Sequence, residues 1–526
     1  MKKTVLSYED THAFPALFRA YLSEDEKLKD FYRYPFSPDS FESAAEDLKK
    51  QPFDRKVLVE VLRDQNKPSL YPLIETLRES NTFTVCTGHQ LSIFAGPLFF
   101  VFKIVTVIRL AEELKRKYPA YNFLPVFWMV SEDHDLEEIS SVNMYGKNIE
   151  WKHGLKGMAG GLDTSSMKKC MEELSAVAGS GKNSEELLTL FTEAYLSGKN
   201  LASATRFLLG KLFEEKYILI LDPADERLKK KIIPFLREDI FDHVNHRLVD
   251  ETAARLSRCG YETQVNPREI NCFYITGNSR NRIVFEEDRY KITGTDVSFS
   301  EKEMDAEISN HPGRFSPNVV MRPLYQQAVL PNIAYVGGPA EIAYWMEYRS
   351  MFEHHGIFYP VLVPRVSALW IDSSASALMR KLRINSANLF TGTDMILKKL
   401  LAENGFRLGL PEEIEDARRL FSVVSLKAGA VDPTLRASSE AELEKVLKSL
   451  KHIEERMTRS AKQQREAEVR QVKKLMEKLF PGNGLQERHD NFIPLYLEYG
   501  KAFLNILFEN FDPFEGRFVV LEDTGK

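Results

Sequence analysis

Between Phe83 and Asp135 the chain reads strand, helix, strand, and this segment limits the fold more than any other. Phe83-Thr84-Val85-Cys86 is a β-type run that ends at Gly88. A loop leads to Gly96-Pro97, and helical sequence then continues to about Tyr118. Proline suits the first helical position, where its missing N–H has no intrahelical use. Leu124 to Val130 is strand-like again and stops at Glu132-Asp133-His134-Asp135. Two strands joined by a crossover helix predict a parallel pair in an α/β sheet.

The layout recurs. Tyr217–Leu221 predicts a third strand, ending at Asp222-Pro223. Asn332–Val336 feeds Gly337-Gly338-Pro339 and a helix through about His355, and Tyr359–Val363 ends at Pro364-Arg365. These units read as two halves of one doubly wound parallel sheet. From Phe273 to Ser298, β-branched and aromatic residues alternate with turn residues, which predicts a small antiparallel excursion. Ser300 and Glu303 then form a capping-box pattern. The expected division is 1–135 for N-terminal helices and the first half of the core, and 136–204 for a first insertion. Residues 205–245 continue the core, 246–309 form a second insertion, 310–385 complete the core, and 386–526 are a C-terminal helical region. There, Leu443, Val446, Leu450, Ile453 and Met457 follow a 3–4 spacing that weakens through Ala461, Gln464 and Ala467. Val472, Leu475 and Leu479 resume it, so the reading is an interrupted coiled coil joining two chains, with an amphipathic helix on its own domain as the alternative.

Apolar residues are 43% and charged residues 28% of the 526 positions, the balance of a globular chain with a sizeable core. A formal charge of −5 argues against a dedicated nucleic-acid binder. The four cysteines contain no C-x-x-C pair, so neither a disulfide framework nor a thiolate zinc cluster is expected. Leu91–Ala111 is the most hydrophobic stretch, but Lys103, Arg109 and Gly96-Pro97 interrupt it, so it reads as a buried helix and not a membrane span. Ser7-Tyr8-Glu9-Asp10 follows the start with no apolar core of a signal peptide, and a cytoplasmic location is expected.

Three motifs fall where ligands of open α/β sheets sit, beyond the carboxyl ends of the strands. In the first, Gly88-His89-Gln90 and Gly96-Pro97 precede a helix whose start carries free N–H groups. Lys103 lies two turns inside that helix and leans back toward an anion there, or snorkels to solvent. The second is Glu132-Asp133-His134-Asp135, whose three carboxylates repel one another unless a cation joins them, beside the side chain best suited to proton transfer near neutrality. A solvated acidic turn is the alternative. The third combines Asn318 and Arg322 with Tyr335, Gly337, Gly338, Glu341 and Tyr344. Its glycines predict a second backbone cradle, and Arg322 and Arg365 suit a carboxylate or phosphate, or else structural ion pairs.

Other patterns lead nowhere. Gly179-Ser180-Gly181-Lys182 lacks the first glycine, the hydroxyl residue and the preceding strand of a phosphate loop. His243 and His246 have no third ligand nearby in sequence, so no metal site is expected. His354-His355 closes a helix, where histidine favours the dipole. Cys86 inside an apolar strand reads as packing.

Taken together, Thr87-Gly88-His89-Gln90, Ala95-Gly96-Pro97-Leu98, Lys103, Pro125-Val126-Phe127-Trp128, Glu132-Asp133-His134-Asp135, Ser316-Pro317-Asn318, Arg322-Pro323-Leu324 and Tyr335-Val336-Gly337-Gly338-Pro339 with Glu341 and Tyr344 resemble the cysteine-adding enzymes of bacillithiol biosynthesis over nearly the whole chain. The resemblance implies a Rossmann-like core with two connecting insertions and a C-terminal coiled coil that makes a homodimer. It also implies a ligase that joins cysteine to the amino group of glucosaminyl malate by an amide bond, with no nucleic-acid or membrane partner. His89 departs from the glutamine more usual there. Amide formation in water needs an activated acyl group, so ATP is a plausible co-substrate and an aminoacyl adenylate the product of activation. On this reading Gly88, His89, Gly96 and Lys103 hold an anion, the acidic run orients or deprotonates the amine, and Arg322 and Arg365 bind carboxylate or phosphate. Two other readings remain: an ATP-dependent aminoacyl- or nucleotidyl-transferase acting on another small amine, and a non-catalytic dimeric scaffold.

Overall fold

Apolar, β-branched and aromatic runs buried on both faces are what a parallel sheet covered by helices demands. In the computed structural model, which describes residues 1–525, five such strands make the central sheet. They are β1 (Thr82–Gln90), β2 (Asn122–Val130), β3 (Leu219–Leu221), β4 (Asn332–Gly337) and β5 (Val361–Pro364). Their order is β5-β4-β1-β2-β3 and every pairing is parallel. The sheet is doubly wound: β1 sits in the middle, the chain adds β2 and β3 on one side, then returns to add β4 and β5 on the other. The direction of winding reverses between β1 and β4, and that crevice is where such sheets bind ligands.

Helix α1 (Leu98–Lys117) connects β1 to β2 and is buried almost throughout its first four turns. Its last turn carries Lys115, Arg116 and Lys117, complementing the negative end of the helix dipole. Helices α2 (Met321–Val329) and α3 (Pro339–Glu347) flank β4.

Two strand limits differ from the sequence reading. β1 continues past Gly88, because Gly88, His89 and Gln90 pair with Trp128, Met129 and Val130. β3 starts only at Leu219, because Tyr217 has φ +49, a left-handed conformation that cannot sit in a ladder. The antiparallel excursion is present as Cys272–Thr276, Ser279–Glu286, Arg289–Ile292 and Ser298–Phe299, and Phe315–Pro317 joins it as a fifth strand. Ser300 and Glu303 form the expected capping box on the helix Glu301–Asn310.

The chain divides into two units. One is Val5–Leu369 with Gly484–Val519, and the other is Trp370–Asn483 with Met1–Thr4 and residues 520–525. In the second, α4 (Pro411–Val431) and α5 (Leu435–Gln464) form a helical hairpin closed by Asp432, whose side chain accepts from the Thr434 amide at 2.8 Å. α5 packs against α4 of the same chain, leaving Leu443, Val446, Leu450 and Met457 of its seam half-buried and Ile453 exposed. The polar interruption coincides with a break at Arg465 (φ −115, ψ 34), after which α6 (Glu466–Leu479) buries Val472, Leu475 and Leu479 within its own unit. No described helix is long and apolar enough to cross a membrane.

Candidate active site

At the carboxyl ends of β1 and β4 the first and third motifs merge. Lys103 does not snorkel: its side chain is 4% exposed, its Nζ donates to the Gly88 carbonyl at 3.0 Å, and it pairs with Glu341. Glu341 also accepts from the Tyr335 hydroxyl and, at 2.8 Å, from the Gly338 amide at the start of α3. Burial pushes this carboxyl up, but Lys103, the Gly338 N–H and Tyr335 outweigh it and bring its pKa to about 2. The anion expected near Lys103 is therefore a side chain of the protein itself.

Arg322 lies on the other side of the crevice. Its guanidinium donates to Gln326 Oε1 at 3.2 Å and meets the hydroxyls of Tyr335 (3.4 Å) and Tyr344 (3.3 Å). A Cβ on Gly88 would stand 3.3 Å from its Nη1, so glycine there lets the strand run close beside the cation. Among the described residues no carboxylate is hydrogen-bonded to Arg322, which leaves it the cation of the crevice best placed for an anionic ligand. Arg365, by contrast, is committed. Its Nη2 donates to Glu487 at 2.8 Å, its Nη1 donates to the Ser367 hydroxyl at 3.1 Å, and both members of the ion pair are buried. The expected clamp at Arg365 is a structural ion pair, because Glu487 enters from a segment far along the chain. Gly337 accepts the Arg365 amide at 2.8 Å.

The first cradle is also more occupied than expected. The His89 ring packs between Phe99 and Phe100, and its Nε2 is sealed from solvent with no partner among the described residues. Burial, reinforced by Lys103, pushes this imidazole down to about 3, so it is neutral and cannot hold an anion by charge. Pro97 caps α1 and is not its first helical residue; the Leu98 amide is taken by the Asp490 carbonyl at 2.7 Å. Phe94, Ala95 and Gly96 are all left-handed. A Cβ on Gly96 would fall 2.7 Å from that of Ser92, and Asn491 holds this turn through the Phe94 and Gly96 carbonyls. Asn318 stands just before α2, its Oδ1 accepting from the Val320 amide at 2.8 Å and its side-chain amide donating to Asn271 at 3.1 Å.

The acidic run at the end of β2 is split by its partners. Glu132 pairs with the fully buried Lys229 and accepts from Ser316 at 2.7 Å, so it belongs to the framework. Asp133 accepts from Gln90 at 2.7 Å and stands 3.9 Å from Arg280, which fixes Gln90 and Asp133 to each other. Arg280 stacks on Phe273 at 4.1 Å and donates to Ser316 and Pro317. His134 and Asp135 remain exposed, and among the described residues no hydrogen bond or ion pair fixes the Asp135 carboxylate. Nδ1 of His134 stands 3.5 Å from Arg280 Nη1 and 4.0 Å from the Asp133 carboxylate. His134, Asp135 and Arg280 line a cleft of about 1360 Å³ whose other wall includes Asn148, Trp151, His153 and Lys156 of the first insertion. Cys86 is buried in β1, and burial raises its thiol well above the usual range, so it serves as packing.

Sequence comparison supplies the family. Residues 1–366 match the family model described as "Bacillithiol biosynthesis BshC, N-terminal Rossmann-like domain", and residues 368–522 match "Bacillithiol biosynthesis BshC, C-terminal coiled-coil domain". The chain belongs to the BshC family. Among its BshC relatives are proteins named "Putative cysteine ligase BshC" from Christiangramia forsetii (37% identical, covering 99% of each chain) and Flavobacterium johnsoniae (37%, 99% of this chain and 100% of the relative). A third, from Cytophaga hutchinsonii, is 33% identical over 97% of this chain and 96% of its own.

In this BshC family member, sequence reasoning missed Glu487, Asn491, Lys229 and Arg280. Each supports a site residue from more than 90 positions away in sequence. Only charge balance in a buried setting could have flagged them: a strand-end acidic run needs cations, and Lys229 and Arg280 are those cations.

Proposed function

We propose that the chain is a cysteine ligase of bacillithiol biosynthesis, forming the amide bond between the carboxyl of cysteine and the amino group of glucosaminyl malate. The observation that carries this reading is the full-length family match, together with a crevice whose cation is Arg322 and a cleft bearing His134 and Asp135. Malate brings carboxylates, which suit Arg322 between Tyr335 and Tyr344. The amine arrives as an ammonium and suits Asp135, the carboxylate of the run without an internal partner among the described residues. His134 takes the proton that the ammonium loses, so that the free amine can attack the acyl carbon. ATP activates the cysteine carboxyl as an aminoacyl adenylate with loss of pyrophosphate, and AMP leaves as the amine forms the amide bond. Incubating the pure protein with cysteine, ATP and glucosaminyl malate and analysing the mixture by mass spectrometry tests the assignment. A mass equal to the two substrates joined with loss of water, formed only with ATP, is expected; its absence while another amine is acylated would return the transferase reading.

The homodimer belongs to the same proposal. Because the α5 seam is shared with α4, the surface left for a second copy is the outer face of α4, where Leu420 (61% exposed), Val423 (50%) and Val424 (40%) share one side. Leu420→Lys with Val423→Lys is expected to halve the mass measured by light scattering without changing the helical circular dichroism. An unchanged mass would remove α4 from the interface.

A further inference from the structure

His354 and His355 close the helix Arg349–His354, and Glu238 lies on the helix Ile233–Phe241. His354 Nε2 is 2.7 Å and His355 Nδ1 3.8 Å from the same oxygen, Glu238 Oε2. One ligand atom from each of the three residues falls within 4.8 Å of the others. Ligands at about 2.0–2.1 Å around a tetrahedral ion stand roughly 3.4 Å apart, so small side-chain adjustments would bring all three onto one cation.

The tautomer of His355 makes this more than a chance grouping. Its side chain is 1% exposed, and its Nε2 meets Asn245 Oδ1 at 2.8 Å. Asn245 is buried, and its amide nitrogen donates to Asp239 at 3.0 Å, so its oxygen is the end turned to the histidine. Asp239 is in turn held by the backbone amide of Asn271 at 2.6 Å and its side-chain amide at 3.2 Å. An amide oxygen only accepts; His355 Nε2 must therefore carry the proton, and Nδ1 presents a lone pair toward a carboxylate. A cation placed between His355 Nδ1 and Glu238 Oε2, 3.8 Å apart, would meet a lone pair from each. An outer partner that fixes the ring nitrogen facing away from the ion is the usual support of a histidine metal ligand, and Asn245 occupies that position.

We propose that Glu238, His354 and His355 form a binding site for a divalent transition-metal ion, with Asn245 and Asp239 as its outer support. Two imidazoles and one carboxylate favour zinc, cobalt, nickel or copper over calcium or magnesium. Glu238 and His354 are partly exposed, which gives the ion an entry path and leaves room for water as a fourth ligand. The helix bearing both histidines follows directly on α3, which carries Glu341 and Tyr344 of the crevice. The ion would pin that helix to Ile233–Phe241.

The test uses the full chain stripped of metal and titrated with Co²⁺, read by its visible absorbance, and with Zn²⁺ in competition with a chromophoric chelator. One equivalent is expected to bind, with affinity reduced about 10- to 100-fold in Glu238→Gln and His354→Ala. Both substitutions are at partly exposed positions, so the fold should tolerate them and the titration reads the site itself. Zn²⁺ should raise the unfolding temperature of the wild type and not that of Glu238→Gln. Stoichiometric binding that both variants retain would place the ion elsewhere and overturn the assignment, as would failure of the wild type to bind Zn²⁺ below about 100 µM, an affinity of about −5.5 kcal/mol.

Discussion

Lys103→Met is expected to destabilise the protein by about 3–5 kcal/mol, the cost of leaving a buried carboxylate without its cation. From the sequence alone the same substitution should weaken ligand binding and spare the fold, since methionine matches the apolar surroundings and most of the stem. The position of Glu341 reverses that expectation, because Lys103 is the counter-charge of a residue that also holds Tyr335 and the start of α3. Glu341→Gln alone should destabilise as well, by stranding the ammonium. The double substitution should recover much of the loss, since no unpaired charge is left buried and the amide oxygen in place of the carboxylate can still accept from Tyr335 and the Gly338 amide. Urea unfolding of the four proteins measures the cycle. pH adds an independent sign. Glu341 falls from its ordinary 4.5 to about 2 on folding, so its contribution is complete above 4.5 and is lost as pH drops toward 2. In Lys103→Met that acid-side loss should disappear, because a glutamate without its cation gains from protonation. A Lys103→Met protein with the wild-type urea midpoint would show that the pair carries no stability and that Lys103 is available to a ligand.

His134→Asn is expected to lower kcat by about 10²- to 10⁴-fold with KM changed little, the range for loss of a positioned proton-transfer group. Asparagine keeps a polar side chain of similar reach but exchanges no proton near neutral pH. Asp135→Asn serves as the contrast. If Asp135 holds the ammonium, its loss should raise KM for the amine more than it lowers kcat. Steady-state kinetics of product formation, with each substrate varied in turn, separates the two. His134 is exposed and its ring is only loosely held by the long Arg280 contact, so stability should be preserved and the kinetics read directly. Wild-type kcat and KM in His134→Asn would make the turn a solvated corner and remove it from the mechanism.

The crossover pattern around Gly96-Pro97, and its repetition at Gly338-Pro339, determined the doubly wound parallel sheet, because strand and helix periodicities are local properties that burial on both faces does not disguise. The same patterns determined which strand ends carry polar residues, and the family resemblance read from those motifs is the family the chain belongs to. Tertiary structure alone decided which of those polar residues are free. Lys103, Arg365, Glu132 and Gln90 look like ligand groups in sequence. In the fold each is taken up by a partner that the chain delivers from elsewhere: Glu341, Glu487, Lys229 and Asp133. Desolvation enforces this, since a buried charge without a partner costs several kcal/mol, so the chain must bring an opposite charge to it wherever that charge lies in sequence. His134, Asp135 and Arg322 keep their reach toward a ligand because, among the described residues, no carboxylate or cation from another segment is bonded to them at short range. The apolar seam of α5 follows the same logic: its 3–4 spacing specifies that a helix must cover it, and only the turn at Asp432–Thr434 decides that the covering helix comes from the same chain.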